Sequence, residues 1–291
     1  MPAQTVRITL KCNHGCVFCF ADWSPEVARR RRDVHDYTNV IGADWRRELD
    51  DVRASGYDEL SISGGEPLLH PELLPMVHHA KQLGFRRIEV QSNASLMTES
   101  NVSLLTRAGM TSCMASLPSH REKNFNAITR TQGHFVASVN GIRNLLAARV
   151  EVILCHVICA GNYRLLADFV RFVHEELGTI NEILFFYVQP EGRAAQNLKV
   201  LPRLAKLRAH WAAAMAEADR LLDASRWADA TASYRRALAV PGYEDDADAK
   251  AGIQAAQDAA ATEAAEKKRD SSKRSQAVRD ILNRLGKRRN R

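Results

Sequence analysis

The sequence predicts an α/β fold on a parallel sheet, followed by an α-helical extension. Two observations carry this reading. From Thr5 to about Pro190, short apolar segments of strand length alternate with amphipathic helical ones, the pattern of successive βαβ units. From about Pro202 the strand pattern stops and alanine-rich helical periodicity takes over. Six strand-helix steps joined by right-handed crossovers curl into an open partial (β/α)6 barrel. A flavodoxin-like open sheet meets the same pattern.

Strand one is read in Val6-Arg7-Ile8-Thr9-Leu10, where apolar and polar residues alternate. The loop Lys11-Cys12-Asn13-His14-Gly15-Cys16-Val17-Phe18-Cys19 follows, and then an Arg-rich stretch, Arg29 to Arg32, read as solvated surface. A helix from about Asp44 to Ala54 leads into strand two, Glu59 to Ser63, which Gly64-Gly65-Glu66-Pro67 breaks. The next helix starts near Pro71, a favourable first-turn residue, and stops at Gly84. Strand three is Arg87 to Gln91, followed by Ser92-Asn93-Ala94 and a helix ending near Gly109. Strand four, Ser112 to Ser116, precedes a long polar loop and a helix from about Phe135 to Ala148. Strand five, Val150 to Ile158, is followed by a helix from about Tyr163 to Leu177, and strand six is Glu182 to Val188.

These segments divide the 291 residues into a core at 1–195, a helical region at 196–261 and a basic tail at 262–291. Hydrophobic residues make up 45% of the chain, enough for a sizeable core. The net charge of +7 resides in the tail, which holds 11 Lys and Arg against 4 Asp and Glu. The first 261 residues are therefore neutral, and the charge does not mark the core as a nucleic-acid binder. No apolar run has the length of a membrane span, and Met1-Pro2-Ala3-Gln4 opens no signal peptide, so a soluble cytoplasmic protein with no membrane contact is expected. Six cysteines in a chain of this size make no disulfide framework. Cys113, Cys155 and Cys159 are scattered through apolar segments and read as structural thiols.

Cys12, Cys16 and Cys19 stand at C-x3-C-x2-C spacing on a loop leaving the carboxyl end of strand one. Open α/β folds place ligands there, and three clustered thiolates suit a soft metal centre. A structural zinc wants four closed ligands, and cysteine-held four-iron clusters take four. No fourth cysteine or suitably spaced histidine lies nearby, so a cluster with one iron open to a small molecule is the simplest account. A zinc loop and three incidental buried thiols are the alternatives. At the end of strand two, the glycines of Gly64-Gly65-Glu66 permit close approach, and the carboxylate can accept hydrogen bonds from an ammonium group.

In this cysteine spacing, in the aromatic Phe18 before the last cysteine and in Gly64-Gly65-Glu66, the chain resembles the radical S-adenosylmethionine (SAM) enzymes over roughly residues 5 to 190. The resemblance favours the partial barrel over the flavodoxin-like sheet. It implies a 4Fe-4S cluster on Cys12, Cys16 and Cys19, with SAM chelating the fourth iron. It also implies cofactor contacts at Phe18, Gly64, Gly65 and Glu66, the last meeting the amino group of SAM. Asn93 falls where the family has a polar residue facing the ribose, with capping of the next helix as the alternative. Ser116 is placed to reach the ribose or carboxylate, and Arg130 to pair with the carboxylate unless it is a surface arginine. His156 and Ile158 fall where the family surrounds the adenine, although the family's glycine-rich form of that strand is missing. Gln189-Pro190-Glu191-Gly192-Arg193 is placed to line the substrate side.

The implied activity is reductive cleavage of SAM to a 5′-deoxyadenosyl radical that abstracts hydrogen from a substrate, with a flavodoxin or ferredoxin as electron donor. No cysteine follows Cys159, so no cysteine-rich extension for further clusters is present in the sequence. Trp227-x2-Ala230-x3-Tyr234-x2-Ala237-Leu238-x2-Pro241 resembles a tetratricopeptide unit, which offers a groove to a peptide, and a hairpin docked on the barrel is the alternative. The expected substrate is a peptide or small metabolite. The basic tail keeps an RNA or nucleoside substrate open, and an iron-sulfur sensor or scaffold is the non-catalytic alternative.

Overall fold

The computed structural model of the chain describes residues 3–20, 41–42, 44–178, 180 and 182–223. Its six strands are parallel and lie side by side in chain order: β1 (Gln4–Arg7), β2 (Glu59–Ser63), β3 (Arg87–Ser92), β4 (Ser112–Ser116), β5 (Glu151–Ile158) and β6 (Glu182–Tyr187). A flavodoxin-like sheet would have its first strand inside the sheet, between the second and third. Sequential order with crossovers of one hand instead puts the helices on one face and curls the sheet. β1 and β6 are the two edges, so the barrel is partial.

The helices between strands are α1 (Trp45–Ala54), α2 (Leu73–Gln82), α3 (Glu99–Ala108), α4 (Glu122–Thr129), α5 (His134–Ala147) and α6 (Leu166–Phe172), the last running into a π-helical turn over Val173–Leu177. Two further helices, α7 (Arg193–Gln196) and α8 (Leu204–Asp223), follow β6. Thr98 caps α3 by accepting from the Asn101 N–H, and Gly109 ends it at a φ of 130°.

Helix α4 lies where the sequence reads as a polar loop. Its asparagines are poor helix formers, but Phe125, Ile128 and Thr129 share one face and are buried, so packing overrides propensity. Strand β1 also begins and ends earlier than its alternation indicates. Beyond Arg7 the chain continues along the glycine motif through isolated bonds, Ile8 N–H to Ser63 O at 3.0 Å and Gly65 N–H to Thr9 O at 2.8 Å.

Alternation along the strands divides the sheet into two unlike faces. Leu60, Ile62, Ile88, Val90, Cys113, Ala115, Val152, Leu154, Ile183 and Phe185 are buried towards the helices in one continuous core. Each Leu, Ile, Val or Phe among them contributes about 1.5–3 kcal/mol over its exposed state. The other face, concave in the curled sheet, is polar along β2 and β3. There Ser61 Oγ donates to Glu89 Oε1 at 2.7 Å, Gln91 Nε2 to Ser61 Oγ at 2.9 Å, and Ser63 Oγ to Gln91 Oε1 at 2.7 Å. In register across β4 to β6 this face turns apolar at Met114, Ile153, Cys155 and Leu184.

The helical extension begins with α8, which packs against α6 and the back of β6. Trp211 meets the Phe185 ring edge-on at 5.4 Å, Arg171 Nε donates to Glu217 Oε1 at 2.8 Å, and Ala214, Ala218 and Leu221 are buried. The tetratricopeptide-like stretch from Trp227 to Pro241, the tail at 262–291 and the Arg29–Arg32 stretch lie outside the described residues. No described helix is long and apolar enough to cross a membrane.

Candidate functional site

The three cysteines sit on the loop after β1, at the end of the sheet where all six strands have their carboxyl termini. Three other segments hold this loop. From α4, the carbonyls of Thr129 and Ile128 accept from the N–H groups of Gly15 and Val17, each at 2.8 Å. From the turn after β6, the Arg193 N–H donates to Cys19 O at 3.0 Å and its Nη1 to Cys16 O at 3.3 Å. From the turn after β3, Asn93 Nδ2 donates to Asn13 Oδ1 at 2.7 Å and lies 4.0 Å from Cys12 Sγ.

Backbone contact with the glycine motif is still closer. Gly65 N–H donates to Thr9 O and Glu66 N–H to Lys11 O, both at 2.8 Å. A Cβ on Gly64 would stand 2.3 Å from Thr9 O, and one on Gly65 would stand 2.3 Å from Lys11 O. The space these glycines leave open is therefore filled by the chain leading into the cysteine loop.

Glu66 lies inside the fold. Its carboxylate is wholly buried, accepting from Leu68 N–H at 3.2 Å, Ser92 Oγ at 2.9 Å and Asn93 N–H at 2.8 Å. Burial raises its pKa, and the three donors pull it back down. The side chain ties the end of β2 to the end of β3.

The thiol set fits an iron-sulfur cluster. None of the three cysteines forms a disulfide; Cys12 is exposed, and Cys16 and Cys19 are half-buried. Burial pushes the Cys16 thiol up to about 12, with repulsion from Cys19 and Cys12 adding and Arg193 opposing. Burial also raises Cys12, with Glu66 and Cys19 adding and the His14 N–H opposing. Mutually repelling, partly desolvated thiolates are stabilised when metal takes up their charge. Among the described residues no three His, Cys, Asp or Glu side chains converge as one metal ion would require. A cubane makes no such demand, since each thiolate binds a different iron.

The remaining predicted positions separate into two groups. Phe18 is half-buried against a small apolar cluster of Ile128, Cys159, Val188, Ala194 and Val200. Arg130, in left-handed conformation at a φ of 55°, has its Cβ 3.5 Å from the position a Gly15 Cβ would take, which brings it to the cysteine loop. Ser116 lies on the concave face at the end of β4, opposite Cys155. Asn93 does not cap the next helix, a task that falls to Thr98.

His156 and Ile158 turn their side chains to the helix side of β5. The His156 ring lies 4.0 Å from Phe169 and 5.5 Å from Phe185, and its Nδ1 is 3.0 Å from Leu117 O. Ile158 belongs to the main core. At the carboxyl end of β5 the side chains on the concave side are Cys155 and Val157, on the same face as Ile153. Cys155 is partly buried there and belongs to neither apolar cluster, unlike Cys113 and Cys159.

Two loop contacts escaped the sequence reading, which gave His14 no partner and placed Arg193 only on the substrate side. His14, buried within the cysteine loop, shares a 3.1 Å hydrogen bond between its Nε2 and Nδ1 of His134, and meets Phe125 edge-on at 5.7 Å. Arg193 joins the cysteine loop from 177 residues further along the chain. The signal for it was Gly192, whose φ is 51° and whose Cβ would stand 2.2 Å from Cys19 O.

Residues 6–192 match the model of the radical SAM superfamily, and the chain belongs to that superfamily. Proteins of this superfamily bind a 4Fe-4S cluster and SAM. The chain is 24% identical over 195 residues to Fe-coproporphyrin III synthase of Methanosarcina barkeri, covering 67% of this chain and 46% of that protein. It is 25% identical over 251 residues to the sporulation killing factor maturation protein SkfB of Bacillus subtilis, covering 82% of this chain and 56% of that protein. Among solved structures, SuiB of Streptococcus suis bound to SAM superposes with a TM-score of 0.59 at 19% identity, over 77% of this chain and 48% of that one. The same protein bound to its precursor peptide SuiA superposes with a TM-score of 0.55 at 18% identity, over 72% and 45%. The chain spans about half the length of these relatives.

Proposed function

We propose that the chain is a radical SAM enzyme with one 4Fe-4S cluster, held by Cys12, Cys16 and Cys19, that acts on a peptide. One observation carries the reading: three thiols outside any disulfide on one loop, clamped against Gly65, Asn93 and Arg193, above a concave sheet face. When bound, the cluster supplies the electron that cleaves SAM to methionine and a 5′-deoxyadenosyl radical able to abstract hydrogen from a substrate. The protein positions the substrate carbon and keeps water away from it.

The residues divide this work. Asn93 and Asn13 hold the Cys12 end of the loop, and the Thr129 and Ile128 carbonyls fix its middle. The backbone of Gly64-Gly65-Glu66 sets its distance from β2. Ser116 and Arg130 supply a hydroxyl and a guanidinium for the polar groups of SAM. The concave face, polar on β2 and β3 and apolar on β4 to β6, suits a substrate with one polar and one apolar side. A small electron donor of the flavodoxin or ferredoxin class completes the reading.

A peptide substrate is favoured over a metabolite by the likeness to SkfB and to SuiB with its precursor peptide, and by the tetratricopeptide-like stretch. RNA or a nucleoside, through the basic tail, is the second substrate class. Its mark would be salt-sensitive RNA binding lost on deleting residues 262–291.

The test is anaerobic reconstitution with iron and sulfide, followed by incubation with dithionite, SAM and a pool of synthetic peptides. Mass spectrometry of the peptides should show a SAM-dependent mass change absent from Cys16→Ala. A cluster-loaded protein that consumes SAM and modifies only nucleosides or RNA would refute the peptide reading.

A further inference from the structure

Arg193 stands apart among the residues that touch the cysteine loop because it carries a full charge into the turn bearing two of the three thiols. Its N–H donates to Cys19 O at 3.0 Å and its guanidinium Nη1 to Cys16 O at 3.3 Å. The Cys19 N–H also donates to Cys16 O, at 3.1 Å, so the guanidinium joins a closed turn whose ends are the second and third cysteines. Gly192 makes this approach possible, since a Cβ there would stand 2.2 Å from Cys19 O. Ala194 is fully buried and anchors the following turn, α7, in the apolar cluster that Phe18 also contacts. The charge is therefore held in place from both sides.

An iron-sulfur cluster's potential follows its net charge, its hydrogen bonds and its exposure. Reduction adds one negative charge to a centre already ringed by thiolates. A fixed cation bonded to the backbone of one ligand favours the reduced state over the oxidised one. We propose that Arg193 is a positioning residue that sets the reduction potential of the cluster on Cys12, Cys16 and Cys19, its guanidinium raising that potential so that a small protein donor can reduce it. The inference rests on the cluster reading given under Proposed function.

The experiment is a redox titration of the reconstituted full-length protein, without SAM or substrate, followed by the electron paramagnetic resonance signal of the reduced cluster. Arg193→Gln keeps the backbone N–H bond to Cys19 and removes the charge. At a fixed applied potential, its ratio of reduced to oxidised cluster should fall at least tenfold, about 59 mV for one electron. Arg193→Lys, which keeps the charge, should stay within threefold of wild type. A wild-type potential in Arg193→Gln would overturn the inference, and so would an Arg193→Lys potential as low as that of Arg193→Gln. An Arg193→Gln protein that takes up no cluster while Arg193→Lys does would make the residue a structural clamp, which also overturns it. A wild-type chain that takes up no cluster would overturn the parent reading as well, so the two failures are distinguishable.

Discussion

His156 makes the stability of this fold depend on pH in a way that one substitution should remove. The ring is buried between Phe169 and Phe185, its Nδ1 lies against the Leu117 carbonyl, and its Nε2 is buried without a hydrogen-bond partner. Nδ1–H therefore donates to Leu117 O, and protonating Nε2 would place a charge among aromatic rings. Burial lowers its pKa from 6.5 to about 3, with the Leu117 bond opposing and His120 adding to the drop. Because the folded pKa is depressed, the unfolded chain binds more protons between pH 6.5 and 3, and stability is lost as pH falls through that window. From pH 7 to pH 5 the loss from this one group is about 2 kcal/mol. For a core of this size that lowers the melting temperature by roughly 4–8 °C.

His156→Leu keeps an apolar side chain in place and cannot titrate. It leaves Leu117 O unpaired, a cost of about 1–3 kcal/mol that is the same at both pH values. His14 and His120, whose pKa values burial also lowers, remain in both proteins. Urea unfolding of both proteins at pH 7 and pH 5, in the same cluster state, isolates the difference. Wild type should lose about 2 kcal/mol more than His156→Leu on acidification. Equal losses in the two proteins would refute the buried, neutral assignment.

Further outcomes follow from the loop contacts. Gly65→Ala drives a methyl group into Lys11 O, so iron and sulfide per chain after reconstitution should fall well below wild type while the far-ultraviolet circular dichroism is kept. Glu66→Gln replaces one acceptor oxygen with a donor facing buried N–H or O–H groups, and should lower stability by about 1–3 kcal/mol in urea unfolding. Asn93→Ala removes the bond to Asn13 and should speed loss of iron to a chelator severalfold, with an unfolding free energy changed by about 1 kcal/mol.

Strands two to six were legible because each is a short alternating or apolar run ended by a turn residue, and the helices between them carry one apolar face. The cysteine loop and the glycine motif were legible because both are local in sequence. The direction of side chains on β5 was not. Val152, Ile153, Leu154, Val157 and Ile158 make both faces of that strand apolar, so no alternation shows that His156 and Ile158 turn to the helix side. The internal bonding of Glu66 depends on Ser92 and Asn93, a strand away, and a motif does not show which of its groups will be satisfied by the chain itself. Arg193 reaches the loop only because the turn after β6 returns over the end of β1, a contact that no local pattern records.

The central claim is that these three cysteines hold a cluster that cleaves SAM. It is tested most directly by assaying 5′-deoxyadenosine from SAM and dithionite after anaerobic reconstitution, with Cys16→Ala alongside. SAM-dependent 5′-deoxyadenosine from wild type alone is the predicted result. A wild-type protein that carries zinc and no cluster, or that holds a cluster yet leaves SAM intact under several reductants, would contradict it.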